Sequence, residues 1–535
     1  MKMIGVSFLA GALSLGAAWD GAGLVSPPGD LSEDIDLETQ AGGAPHLKTK
    51  RAGDDGRPVT EITPAPGEVL AGASKISIEP RPEHYGGTWV RSMEECRTIS
   101  ADDAPSGDHL ASAGSPWPEN PNCIYMGGFG LGPMNPVTDW DQEYGLWVRS
   151  FAVKGPNGRT LVTTIIDGEG YFWDYESKCD DCGIKQIAAE LAADPDLGLE
   201  KEGIVIAATH AHSAPDFIGG WGFVPDWYME QVADSIKDSV RNAVTSMEPA
   251  RLEVGEVLAR AHNSERRDTY RSAEEQQLTW LRAVGAEGHG PRRSKTIATI
   301  GAFAGHPTTR GTNGGVAHAD WPALFEKRVE DRFGGVGLLF MTGLGNMSTR
   351  GGTNMGAPLG DLVAEVGGGI RLENTEVEFA QQTWAQPTTN VPLTALGVPG
   401  FFDRAFLASP AEVRTGKSPD TAPCASASPS SVELAASAAR IGDGFALSAA
   451  PGEIFSNVSN TIKEQSGAAV TMPIGQANDA LGYMPQSFEL HPVGQQGLGF
   501  VAGGAVFVNY EDAYSIDRCV GDKVLEETIA MFKEV

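Results

Sequence analysis

From residue 146 onward, short apolar runs alternate with amphipathic stretches along the chain. Leu146 to Val153 and Thr160 to Ile166 read as two strands flanking the turn Gly155-Pro156-Asn157-Gly158. Ile184 to Ala193 reads as a helix. Ile204-Val205-Ile206-Ala207-Ala208 is continuously apolar and bounded by polar turn residues, as a buried strand is. Pro225 to Ser246 predicts a longer helix with one apolar face. Leu252 to Val257, Leu278 to Val284 and Thr296 to Ala304 predict strands, Pro322 to Phe333 a helix, and Gly337 to Thr342 another strand. Residues 404 to 430 are polar and Ser/Pro-rich and read as a surface loop; strands and helices then alternate to the end. No internal repeat is visible. This order predicts an α/β fold class, a layered domain with mixed β-sheets and flanking helices.

The first 72 residues do not share the pattern. Lys2, the apolar stretch Ile4 to Leu15 and the small residues Gly16-Ala17-Ala18 resemble a secretory signal peptide over 1–18. Residues 19–72 are rich in Gly, Pro, Asp and Glu without periodicity and read as a low-complexity leader. Order is expected from Ala73, giving one folded domain over 73–535. A net charge of -30 argues against a nucleic-acid partner, which needs clustered Lys and Arg. No later segment reaches the ~18 consecutive apolar residues of a membrane span, so no transmembrane anchor is expected. An even count of 6 cysteines in a chain with an export signal predicts disulfides and a secreted, extracellular or periplasmic location. Cys179-Asp180-Asp181-Cys182 reads as a local bridge, because no second close pair completes a zinc site. Cys96–Cys123 and Cys424–Cys519 are the other expected bridges.

Candidate chemistry sits where strands end. The 204–208 run leads into Thr209-His210-Ala211-His212-Ser213-Ala214-Pro215. In an extended continuation His210 and His212, two apart, face the same side. Such a pair suggests either a metal ligand with a proton-transfer partner or two ligands. The Thr296–Ile300 run leads to His306, Gly337–Met341 to the turn Gly343–Ser348, Phe445–Leu447 to Glu453, and Val470–Ile474 toward Tyr483. Ligands of open α/β sheets bind beyond the carboxyl ends of strands, so five exits are expected to converge. Each residue also has a structural reading: His306 as a hydrogen-bonded core histidine, Glu453 as a helix-dipole partner, Ser348 as a cap, Tyr483 as a packed aromatic. Their joint occurrence carries the case. Asp167, ending another strand, either orients a ligand histidine or caps the following Gly-rich turn.

These segments together resemble the neutral, non-lysosomal ceramidases, a family of zinc amidases. The family's Thr-His-Thr-His-Ser-Gly-Pro type segment stands here as residues 209–215. Ala73 to Pro80, Met126-Gly127-Gly128-Phe129-Gly130, Phe303 to Thr308, His318-Ala319-Asp320-Trp321-Pro322, Pro451-Gly452-Glu453, Gly482-Tyr483 and Asn509-Tyr510-Glu511 follow in the family's order. The resemblance implies zinc (Zn2+) held by His210, His306, Glu453 and Tyr483, with His212 as acid/base. It implies a substrate contact from an arginine in the Asn263–Arg267 segment, Arg266 rather than Arg267, and a pocket completed by Tyr510. Ser348 matches a family serine considered as a nucleophile. Water activated by zinc makes a serine nucleophile unnecessary, so substrate hydrogen bonding or shaping of the turn is favoured.

The expected activity is hydrolysis of an amide bond, most naturally of an N-acyl lipid such as ceramide, by attack of zinc-activated water on the carbonyl. The expected partners are that acyl amide and, for substrate access, a peripheral membrane surface. Three departures bear on substrate: Ala214-Pro215-Asp216-Phe217 replaces a Gly-Pro-Gly-Gly type tail, Asn346-Met347-Ser348-Thr349 replaces an Asp-Val-Ser-Pro type segment, and Ile454 to Ser459 lacks the usual Thr and Arg. About 25 residues follow Tyr510, too few for the family's C-terminal immunoglobulin-like domain. The metal site is thus expected to be kept while the substrate-facing parts differ. The competing readings are a serine hydrolase of acyl esters or amides built on Ser348, against which stands the lack of a Gly-x-Ser-x-Gly elbow, and a binding protein that keeps the fold without catalysis.

Overall fold

A mixed nine-stranded sheet carries the fold in the computed structural model. Described are residues 65–97, 120–129, 133–175, 178–179, 181–222, 224–267, 273–286, 295–365, 369–390, 404, 430–490 and 510–535. The signal-like segment 1–18, the leader up to residue 64 and Cys424 lie outside them. Eight strands run in the spatial order Val336–Met341, Thr296–Phe303, Gln277–Gly285, Glu248–Leu258, Val69–Ser77, Trp147–Lys154, Thr160–Ile166 and Ile204–Ala208, with Ile370–Arg371 added beside 248–258. The pair at each edge is parallel, and the joins between are antiparallel. Parallel strands need both faces covered, which is why the edge strands read as unbroken apolar runs.

A second sheet, Val377–Pro387, Ser431–Ile441, Phe445–Ala449 and Val470–Ile474, packs face to face on the first. Leu252, Ile300 and Phe340 of one and Leu447, Met472 and Ile474 of the other belong to one buried cluster. Helices cover the outer faces. Asp226–Thr245 buries Tyr228, Met229, Val232, Ile236 and Val240, three or four residues apart on one face. Asp320–Phe333 and Gly356–Glu365 bury apolar side chains with Trp280, Phe303 and Leu339. Ser456–Gln465 and Val520–Met531 place Val458, Ile462 and Val524 in a cluster with Leu434 and Ala436.

The segment after Ile474 ties the two edges of the large sheet together. Gly475 N–H donates to Met341 O at 2.8 Å on one edge. On the other, Ala208 N–H donates to Gln476 O at 2.9 Å and Asn478 N–H to Ile206 O at 2.8 Å. Exits that lie at opposite ends of the strand order thereby share one neighbourhood.

Three expectations need correction. The first strand begins at Val69, before Ala73, with Val69 and Ala71 buried; the small residues around them hid the pattern. The 377–387 strand was not foreseen, because its polar Gln381, Gln382 and Thr383 lie on a partly exposed edge strand. Arg404, placed by sequence in a surface loop, is buried and paired with Asp479 at 3.0 Å; residues 405–429 lie outside the described residues. Cys96–Cys123 and Cys179–Cys182 form the expected bridges, and Cys519 is disulfide-bonded. Among the described residues no helix is long and apolar enough to cross a membrane.

Candidate metal centre

The 204–208 strand stops before the histidines. His210 takes a left-handed backbone, φ 59°, which turns the chain out of the strand. His210 and His212 therefore do not share a strand face as expected. The turn instead brings their rings edge-on at 4.7 Å, with Nε2 atoms 3.2 Å apart. His306 follows the 296–303 strand, its ring centroid 5.1 Å from that of His210. The three imidazoles offer donor atoms within 4.8 Å of one another, so the group could hold a metal ion.

Glu453 and Tyr483 reach the same point from two short strands that follow the 445–449 and 470–474 strands of the second sheet. They are direct partners in a short parallel bridge, where Glu453 N–H donates to Gly482 O at 2.8 Å. Gly482 has φ 63°, and a Cβ there would collide with the Tyr514 carbonyl. Glu453 Oε2 lies 2.9 Å from His306 Nε2 and 3.6 Å from His210 Nε2. The Tyr483 hydroxyl donates to His306 Nε2 at 3.4 Å and accepts from Arg266 Nη2 at 3.3 Å.

Hydrogen bonds on the far side of two rings fix their tautomers. His210 Nδ1 donates to Glu169 O at 2.7 Å, and His306 Nδ1 to Leu344 O at 2.9 Å. A carbonyl only accepts, so each Nδ1 carries the proton and each Nε2 turns a lone pair inward. Glu453 Oε2 is buried without a hydrogen-bond donor. Burial pushes His210 and His212 down to about 3 and His306 well below its ordinary value, keeping the rings neutral. Burial also raises Glu453. Acceptors thus face acceptors, an arrangement a cation relieves. The donor set of two imidazoles, a carboxylate and a phenol fits zinc.

Arg266 reaches the cluster while Arg267 does not. Arg266 Nε donates to Glu511 Oε1 at 2.8 Å and its Nη2 to Gly345 O at 2.9 Å. Arg267 is buried against Asp512 at 2.8 Å. Tyr510 opens the Tyr510–Ala513 helix that supplies Glu511 and Asp512; its side chain lies outside the described residues. Ser348 pairs with Ser264 in the ribbon Met347–Thr349 with Asn263–Glu265, and among the described residues no imidazole is hydrogen-bonded to it. Asp167 does not orient a histidine. It accepts from Trp147 N–H and from Arg149, which also pairs with Glu326. The orienting role falls to the Glu169 carbonyl, hinted at only by the strand exit Gly168-Glu169-Gly170. Also unforeseen are Phe129 and Trp221, whose rings lie 5.5 and 6.5 Å from that of His212.

No protein-family model matches the chain, and no curated protein matches its sequence. Among solved structures it is similar to neutral ceramidase from Pseudomonas aeruginosa, with a TM-score of 0.57 and 16% identity over 87% of this chain and 75% of that one. A ceramidase complexed with C2 is similar at a TM-score of 0.53 and 15% identity over the same shares. The fold is that of the neutral ceramidases.

Proposed function

We propose that the chain is a zinc-dependent amidase that hydrolyses the amide bond of an N-acyl lipid or related acyl amide. The observation that carries this reading is the convergence of His210 Nε2, His306 Nε2 and Glu453 Oε2, the last buried without a hydrogen-bond partner. His210, His306, Glu453 and Tyr483 would hold the metal. Bound there, zinc would lower the pKa of water toward ~7 and so supply a nucleophile at neutral pH. His212, the half-buried ring of the three, takes the water's proton and returns it to the leaving nitrogen as the C–N bond breaks, giving a carboxylic acid and an amine. Arg266, held by Glu511 and Gly345, stabilises negative charge on the carbonyl oxygen. Tyr510 completes the pocket.

The disulfides support an oxidising compartment, and we propose a secreted, extracellular or periplasmic protein that meets its substrate at a membrane surface. The signal segment 1–18 and a folded domain that opens with the Val69–Ser77 strand belong to the same proposal. The test is metal content with activity. About one zinc per chain is expected, with loss of both metal and at least about a hundredfold of activity in His306→Ala. Full acyl-amide hydrolysis by chelator-treated, metal-free protein would sink the reading.

A further inference from the structure

Of the three clustered imidazoles His212 is the reachable one: it is half-buried, whereas His210 is 3% and His306 2% exposed. Its ring lies 5.5 Å from that of Phe129 and 6.5 Å from that of Trp221, both half-buried, with ring planes at 67° and 45° to its own. Both walls are built. Fully buried Asp216 accepts from Ile218 and Gly219 N–H through Oδ1 at 3.0 and 2.9 Å, and from Trp221 N–H through Oδ2 at 2.7 Å. That carboxylate fixes the turn bearing the indole. Gly222, φ 112°, packs against Tyr125 and Pro133 and seats this turn on the chain that leads to Phe129. Asn135 Nδ2 donates to the Phe129 carbonyl from the other side. Asp216 also lies in the segment that departs from the ceramidase-type sequence.

We propose that Phe129 and Trp221 form a subsite for the amine half of the substrate, and that its occupant is a flat apolar group beside the nitrogen, as in acyl amides of arylalkyl amines. The inference rests on the amidase reading, in which His212 protonates the leaving nitrogen. That nitrogen must come within hydrogen-bond reach of His212, which leaves its substituent beside the two aromatic rings that neighbour His212. A third ring there meets its neighbours at the ~5–7 Å spacing that aromatic pairs favour. When the C–N bond breaks, the nitrogen takes the His212 proton and departs as a free amine, and the two rings also suit its ammonium form. Asp216 is a positioning residue acting through the Trp221 turn.

Two isomers decide the matter: N-benzylacetamide carries its ring on the nitrogen side, N-methyl-2-phenylacetamide on the acyl side. The zinc-loaded protein is expected to favour the first by about tenfold or more in kcat/KM. Trp221→Ala, and Asp216→Asn through loss of the acceptor for Trp221 N–H, should bring that ratio near unity. A wild-type ratio near unity, or one that survives Trp221→Ala, overturns the subsite. Failure of the amidase reading looks different, since neither isomer is then hydrolysed. The same pair is in that case compared by calorimetric titration of the wild-type and Trp221→Ala proteins, where equal affinity for the isomers overturns the subsite and a preference lost in the variant upholds it.

Discussion

His210 holds a backbone conformation that costs a residue with a β-carbon on the order of 1 kcal/mol or more. Asn tolerates it better. His210→Asn is therefore expected to raise the thermal midpoint of metal-free protein while abolishing tight zinc binding, checked by calorimetry and metal analysis. Gly128, φ 85°, lies so close to His212 that a Cβ would overlap its ring. Gly128→Ala should lower kcat at least about tenfold by displacing that ring, with zinc content unchanged. His318 gives a pH dependence. Its Nδ1 accepts from Asp320 N–H at 2.7 Å, and burial, then Arg310, pushes its pKa from 6.5 down to about 4. Below pH 6.5 the unfolded chain takes up this proton first, so the stability His318 contributes is whole above about 6.5 and is lost as pH falls toward 4. His318→Gln should flatten stability against pH across that window in denaturant titrations. At this scale the sequence is informative where side chains carry the chemistry: His210, His212 and His306 stand just beyond a strand, and Glu453 and Tyr483 open short strands downstream of the second sheet's 445–449 and 470–474 strands. It is silent on Glu169, which acts through a carbonyl that every residue possesses. Asp167 misleads because a carboxylate at a strand end looks the same whether it meets an imidazole or a guanidinium.

Elements are legible where one period dominates. The 226–245 helix keeps its apolar face for five turns, the 204–208 strand is apolar throughout, and the 470–474 strand is buried throughout with Thr471 its one polar residue. The 377–387 strand is not legible, since half its length faces away from the core. Ion pairs between elements are equally hidden. Arg149 on the 147–154 strand meets Asp167 at 3.1 Å and Glu326 of the 320–333 helix at 2.9 Å, all three buried. This triad pins the helix to the sheet. Arg149→Met would leave two carboxylates without a counter-ion and should destabilise the protein by about 3–5 kcal/mol in chemical denaturation.

For the whole molecule, the proposed ligands follow strands of both sheets and span 273 positions, from His210 to Tyr483 (483 − 210). A metal held there links distant parts of the chain, and a ligand that binds only the native state stabilises it by mass action. Chelation should lower the thermal midpoint and zinc restore it, with about 2.7 kcal/mol gained when free zinc exceeds its Kd a hundredfold. A midpoint indifferent to both would contradict the proposed centre. That five exits converge is anticipated from sequence; how they do so is not. His210 and His306 leave strands near opposite edges of one sheet, and no hydrophobic period encodes the fastening of those edges by residues 475–478. This late fastening orders the protein's birth. While the ribosome has yet to deliver residue 478, the 204–208 and 336–341 strands lack those bonds, and unpaired edges of apolar strands invite association between chains. The nascent protein is thus most in need of a chaperone until residues 475–478 emerge, and the proposed metal centre is complete only once Tyr483 has followed.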